Sequence, residues 1–293
     1  KAEIGARNVF DYSIGNPSIP APDEVRQAFL ELLEMDPVAL HEYTPSPGDP
    51  DVRAAIAKNL NDRFDLGATA GNVYVTSGAS SAIAISLAAI CNEGDEVITI
   101  SPYFPEYKTW THTAGAKLIE VAAAEPSFQL DLSAIESAVN EHTSAIIINS
   151  PNNPVGSVYP EESLRELAAM LERKQKELGR DIYIISDDAY REIAYGAHIA
   201  CIPQFYTNTI TCYTYSKSLS LPGERIGYIY VNDVIDNCAD VFTAVCGAGR
   251  ALGYICAPVV LQRVIAKCID VPSDVRAYKE NRALLTAGLS ELG

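Results

Sequence analysis

A chain of 293 residues, 48% hydrophobic and 8% aromatic, can bury the core of one large α/β domain plus a smaller partner, and this composition excludes disorder. The formal charge of −16 argues against nucleic acid or an anionic membrane as partner, because the whole-protein field repels phosphates. Any phosphate bound must therefore be captured locally. Seven scattered cysteines (Cys91, Cys201, Cys212, Cys238, Cys246, Cys256, Cys268) with no CxxC pair fit a reducing cytoplasm. The four histidines show no zinc spacing, so no metal is expected. No apolar run reaches the length of a membrane span and residues 1–8 do not read as a signal peptide, so a soluble protein is expected.

Between residues 72 and 232, short β-branched runs alternate with segments of helical period. That pattern predicts an α/β domain with a mostly parallel sheet flanked by helices. Strands are expected at 73–76, 96–100, 117–122, 144–149, 182–186, 210–215 and 225–231. Helices are expected at 81–90 and 161–178, the second with a leucine stripe, acidic residues at its start and Gly179 at its end. The near-continuous apolar run Ala145-Ile146-Ile147-Ile148 implies burial on both faces. In open sheets of this kind ligands sit beyond the carboxyl ends of the strands. After residue 232 the chain turns to Ala/Cys/Val-rich helical segments, ending with a helix at 274–292. This organisation predicts a large domain over 41–235, with 1–40 and 236–293 contributing to a smaller α/β domain that is incomplete here.

Five segments follow strand ends in chain order. Thr76-Ser77-Gly78-Ala79-Ser80 opens a helix, where small residues and free N–H groups suit an anion or simply a glycine turn. Ser101-Pro102-Tyr103-Phe104-Pro105-Glu106-Tyr107 brings aromatics to the sheet edge, where a planar ring could stack or a core could form. Asn149-Ser150-Pro151-Asn152-Asn153-Pro154-Val155-Gly156 supplies amide donors in a turn. Ile185-Ser186-Asp187-Asp188-Ala189-Tyr190 runs an apolar strand into paired carboxylates, suited to a pyridinium nitrogen or to a helix cap. The last, from Thr214 to Arg225, sets Lys217 among hydroxyls with an arginine eight residues on.

In this order the five segments resemble the class I and II aminotransferases, pyridoxal-phosphate enzymes with the aspartate aminotransferase fold. The resemblance covers most of the chain. It implies pyridoxal 5′-phosphate as cofactor, Lys217 as the catalytic lysine that bonds it and moves the substrate proton, and Asp187 against the ring nitrogen. It also implies Asn153 and Tyr190 at the ring oxygen, Phe104 stacked on the ring, and Gly78, Ala79, Ser80, Thr214 and Arg225 around the phosphate, with Ser216 as an extra contact. Tyr43, in His41-Glu42-Tyr43-Thr44-Pro45, would reach the phosphate of a neighbouring subunit, so a homodimer is implied. Gly15, with Asn153, would meet the substrate, whose α-carboxylate arginine lies beyond Gly293 in the family. Arg250, in an otherwise apolar stretch, falls near a dicarboxylate-binding arginine of the family or is a surface residue. Ser80 stands where one aspartate-specific bacterial subgroup carries lysine.

The activity implied is transfer of an amino group from an amino acid, with aspartate or glutamate favoured, to a 2-oxo acid by a ping-pong route. A Cβ–S lyase would use the same lysine and aspartate, and a non-catalytic effector-binding module would retain the same cofactor residues.

Overall fold

A computed structural model describes residues 3–9 and 15–292. Among these, seven strands form one sheet: β1 (Val73–Thr76), β2 (Glu96–Ser101), β3 (Lys117–Ala122), β4 (Thr143–Asn149), β5 (Tyr183–Asp187), β6 (Thr209–Thr214) and β7 (Gly227–Val231). Their order is β1-β7-β6-β5-β4-β2-β3, and β7 alone runs antiparallel to its neighbours. The strands lie close to the expected positions. Two boundaries differ at the site: Tyr215 leaves β6 for a helix, and Arg225 precedes β7 with φ 51°, a left-handed backbone that cannot continue a strand.

The helices are α1 (Asp23–Leu33), α2 (Pro37–His41), α3 (Pro50–Phe64), α4 (Ala79–Ile90), α5 (Glu106–Thr113) and α6 (Leu132–Ala138), then α7 (Glu161–Leu178), α8 (Tyr215–Ser218), α9 (Cys238–Ala251), α10 (Val259–Cys268) and α11 (Arg276–Leu292). α4 therefore begins two residues before its expected start. α7 spans the expected residues, with Gly179 closing it in a left-handed cap at φ 65°.

Alternation along the strands sorts residues between the two faces. Ala145 and Ile147 of β4 join a core with α4, α5 and α9, whereas Ile146 and Ile148 join one with α6 and α7. A third cluster gathers α1, α3 and α10 against Tyr228 and Tyr230 of β7. α11 buries no residue.

Candidate active site

A cavity of about 460 Å³ opens at the carboxyl ends of β4, β5 and β6, bounded also by the start of α4. Its wall contains Gly15, Ala79, Ser80, Phe104, Asn153, Asp187, Tyr190, Thr214, Ser216, Lys217 and Arg225, residues drawn from all five segments and the N-terminal loop. Gly78 sits directly behind Arg225: a Cβ placed on it would lie 2.8 Å from Arg225 Nη2. Tyr43, 90% exposed, and Arg250, exposed near the end of α9, lie outside this cavity.

Lys217 projects from α8, a four-residue helix capped by Thr214, whose Oγ1 accepts from the Ser216 amide at 3.2 Å. Its Nζ donates to the Gly15 carbonyl at 2.5 Å. Burial, reinforced by the positive charge of Arg225, pulls the ammonium below its usual pKa. Cationic character is thus opposed where a neutral amine is chemically useful.

Asp187 ends β5, only 6% exposed, and accepts from the Tyr107 hydroxyl at 2.5 Å and from the Ala189 amide at 3.3 Å. Burial pushes its carboxyl up to about 6; the Tyr107 hydrogen bond works in the other direction, and the charge of Asp188 adds to the rise. A cation seated against Asp187 would relieve that penalty. Between Asp187 and the amide turn stands Asn149, which donates to the Asp187 carbonyl at 2.8 Å and accepts from the Asn153 amide at 2.7 Å. Asn153 Nδ2 in turn donates to the Tyr190 hydroxyl at 3.1 Å. One chain of hydrogen bonds so fixes Asp187, Asn153 and Tyr190 relative to each other.

The anion end is built by close backbone approach. A Cβ on Gly227 would stand 2.2 Å from the Tyr213 carbonyl and 3.0 Å from Gly78 Cα, so the two segments meet only because both residues lack side chains. Gly78, at φ 85° and ψ 177°, caps α4 without a side-chain hydrogen bond, leaving the first-turn N–H groups for a ligand. Arg225 is steadied by donation from Nη1 to the Pro222 carbonyl at 2.9 Å.

Three contributors escaped the sequence reading as site residues: Tyr107, Asn149 and Trp110. Trp110 lines the cavity, and Tyr107 packs beside Phe104 with ring centroids 5.8 Å apart. Phe104 lies just before α5, and Tyr107 and Trp110 follow on the helix at a spacing of three, which gathers the three rings. That spacing was the available signal. Tyr103 instead bonds Glu120 at 2.9 Å, outside the cavity.

The family model described as aminotransferase class I and II matches residues 7–293. A probable aspartate/prephenate aminotransferase of Aquifex aeolicus is 35% identical over 228 residues, 76% of this chain and 56% of that protein. A probable aspartate aminotransferase of Methanocaldococcus jannaschii is 28% identical over 99% of this chain and 76% of its own length. Among solved structures, an aminotransferase from Eubacterium rectale superposes with a TM-score of 0.96 at 52% identity, covering 100% of this chain and 74% of that one. The chain thus spans little more than half of the Aquifex relative and about three quarters of the other two.

Proposed function

The chain belongs to the class I and II aminotransferases, and from that premise we propose that it transfers an amino group from an amino acid to a 2-oxo acid, using pyridoxal 5′-phosphate held in the cavity around Lys217. One juxtaposition carries the reading: Lys217 and Asp187 share a cavity with the uncapped start of α4 and Arg225. The residues fit the cofactor. Asp187 is a buried carboxylate that a protonated ring nitrogen would stabilise, Phe104 offers an apolar face for the ring, and Asn153 and Tyr190 offer polar groups to its oxygen. Ala79, Ser80, Thr214, Ser216 and Arg225 offer N–H, hydroxyl and guanidinium donors to its phosphate.

When bound, the cofactor supplies an electron-withdrawing ring and a carbon that accepts amino groups. Lys217 would anchor it and, once the substrate amine displaces the lysine nitrogen, would take the proton from the substrate Cα and deliver it to the carbon that accepts the amino group, a task served by its lowered pKa. Asp187 would hold the ring nitrogen protonated, with Tyr107 orienting Asp187 and Gly15 bordering the substrate end.

Aspartate or glutamate is the favoured donor, a reading supported by the names of the relatives and by Arg250. Tyr43 and Arg250 lie outside the chain's own cavity, a position compatible with their serving a neighbouring subunit in a homodimer. All seven cysteines are unpaired, which supports a reducing cytoplasm, and among the described residues no helix is long and apolar enough to cross a membrane. The region near residue 40 and that near 235 bound the large domain.

The test is the absorbance of protein loaded with pyridoxal phosphate, recorded before and after aspartate and then 2-oxoglutarate. The visible band should fade with aspartate and return with 2-oxoglutarate, and Lys217→Ala should lose the cycle. A protein that takes up no cofactor would sink the proposal; pyruvate release from a β-leaving-group amino acid without an acceptor would redirect it to elimination.

A further inference from the structure

Asp187 has a neighbour that works against it. Asp188, 8% exposed, is a second buried carboxylate one residue on, just past the end of β5 and outside the cavity wall. Two adjacent buried acids cannot both stay ionised cheaply unless one is paired. The pairing is present: Asp188 accepts from Ser186 Oγ at 2.6 Å and from Arg191 Nη1 at 3.1 Å. Arg191, 6% exposed, is itself enclosed. Its guanidinium lies 4.4 Å from the Tyr213 ring and 5.0 Å from the Phe64 ring, and donates to the Tyr228 hydroxyl at 3.2 Å. Through Nε it also meets Glu192 at 3.2 Å, and Glu192 is held in turn by two bonds from Arg63 at 2.6 and 2.9 Å. Charges therefore alternate along Arg63, Glu192, Arg191 and Asp188, and the row stops one residue short of Asp187.

We infer that Arg191 is a positioning residue for the cofactor: by cancelling the charge of Asp188 just beyond the end of β5, it leaves Asp187 free to stay ionised against the ring nitrogen. This rests on the functional reading above. Among the described residues Arg191 lines no part of the cavity, and its contact toward Asp187 runs through Asp188. The groups that bear on Asp187 are Tyr107, Asp188, Tyr190 and Cys212, with Lys217 and Arg225 across the cavity. Those that bear on Arg191 are Asp188, Glu192, Tyr213, Tyr215 and Tyr228, and Cys201 also lies within its field. Only Asp188 links the two sets.

Charge arithmetic gives the test. Arg191→Met leaves an unpaired negative charge beside Asp187, Asp188→Asn leaves an unpaired positive one, and the double variant restores neutrality. The affinity of the protein for pyridoxal phosphate is measured across pH, each variant being checked for native circular dichroism and referred to wild type, so that the titrations of Lys217 and of the cofactor cancel. The pH at which affinity is lost on acidification should rise by about one unit in Arg191→Met and fall by a similar amount in Asp188→Asn. In the double variant it should return to the wild-type position. Arg191 acting only as packing would lower stability without moving that pH. A folded Arg191→Met protein with the wild-type midpoint, in which Asp188 has simply taken up a proton, overturns the inference. If Arg191→Met does not fold, the isosteric Asp188→Asn decides it, an unmoved midpoint again being fatal. A wild type that binds no cofactor at any pH overturns the functional reading and the inference together.

Discussion

The Tyr107 hydroxyl donates a hydrogen bond to Asp187 at 2.5 Å, from a side chain only 1% exposed. A hydrogen bond of this kind stabilises the carboxylate over the acid, and its donor is held by Phe104 and Trp110, whose rings lie 5.8 and 6.1 Å away. Tyr107→Phe keeps the packing and removes the donor. Affinity for pyridoxal phosphate should fall about tenfold, the equivalent of ~1.4 kcal/mol, by equilibrium titration. Unchanged affinity would show that Asp187 needs no orientation from α5.

The raised pKa of Asp187 has a signature in the cofactor-free protein. The folded chain keeps a proton at Asp187 to about 6, whereas an unfolded aspartate releases it near 3.8. Over that interval the native state binds more protons, so stability is greatest below the lower value and declines as pH rises to the upper one. The loss from this group is about 3 kcal/mol. Asp187→Asn should remove that component, which chemical denaturation at about pH 4 and about pH 7 would reveal as a flatter profile. Parallel profiles for the two proteins would contradict the raised value.

Lys217 should be the most reactive amine of the free enzyme at neutral pH, because burial and Arg225 both disfavour its charged form. Limited labelling with an amine-directed reagent, read by peptide mass spectrometry, should find Lys217 modified first. Arg225→Gln should slow the labelling severalfold. Labelling at the rate of surface lysines would remove the argument for a primed amine.

The two glycines of the anion end should fail differently. Gly227→Ala drives a Cβ against the Tyr213 carbonyl, a backbone atom that cannot step aside, and should cost ~4 kcal/mol or prevent folding. Gly78→Ala meets the end of the Arg225 side chain at a backbone φ of 85°, and should cost about 1–3 kcal/mol while displacing the guanidinium. Thermal denaturation separates the two, and phosphate affinity of Gly78→Ala should be the lower of the pair relative to its stability. Equal destabilisation would mean that the segments do not meet as closely as described.

Asn149 clamps the Asp187 carbonyl and the Asn153 amide with one side chain. Asn149→Asp preserves the shape but replaces the donor, so the Asp187 carbonyl loses its partner. Transamination should fall at least tenfold in kcat with a smaller change in KM, since the catalytic geometry loosens while the substrate contacts remain.

What could be read in advance was local. Short β-branched runs such as Lys117–Ala122, and the leucine stripe of α7, declare their structure within a dozen residues. Most motif residues came together because each closely follows its own strand, so placing the strands placed them, Arg225 before β7 being the exception. Contacts across the chain were not legible. Tyr107 and Asp187 are 80 positions apart, and Lys217 and the Gly15 carbonyl 202. Nothing in the buried run of β7 announces that it is antiparallel, because a strand covered on both faces reads the same in either direction. Arg225 was expected inside that strand; its left-handed backbone ends the extended run, and its guanidinium lies beside Gly78.

Asp187 is the last residue of β5 and Asp188 the first beyond it, so the chemistry is tied to where the strand ends. Deleting one residue upstream within β5 would move the other acid into the position Asp187 holds opposite Asn149 and Cys212. Length changes in the surrounding turns are open to drift or to engineering, whereas a single-residue frame error in this strand rewires the site at once. The count of residues between the start of β5 and its first acid is, in effect, a digital setting of the enzyme.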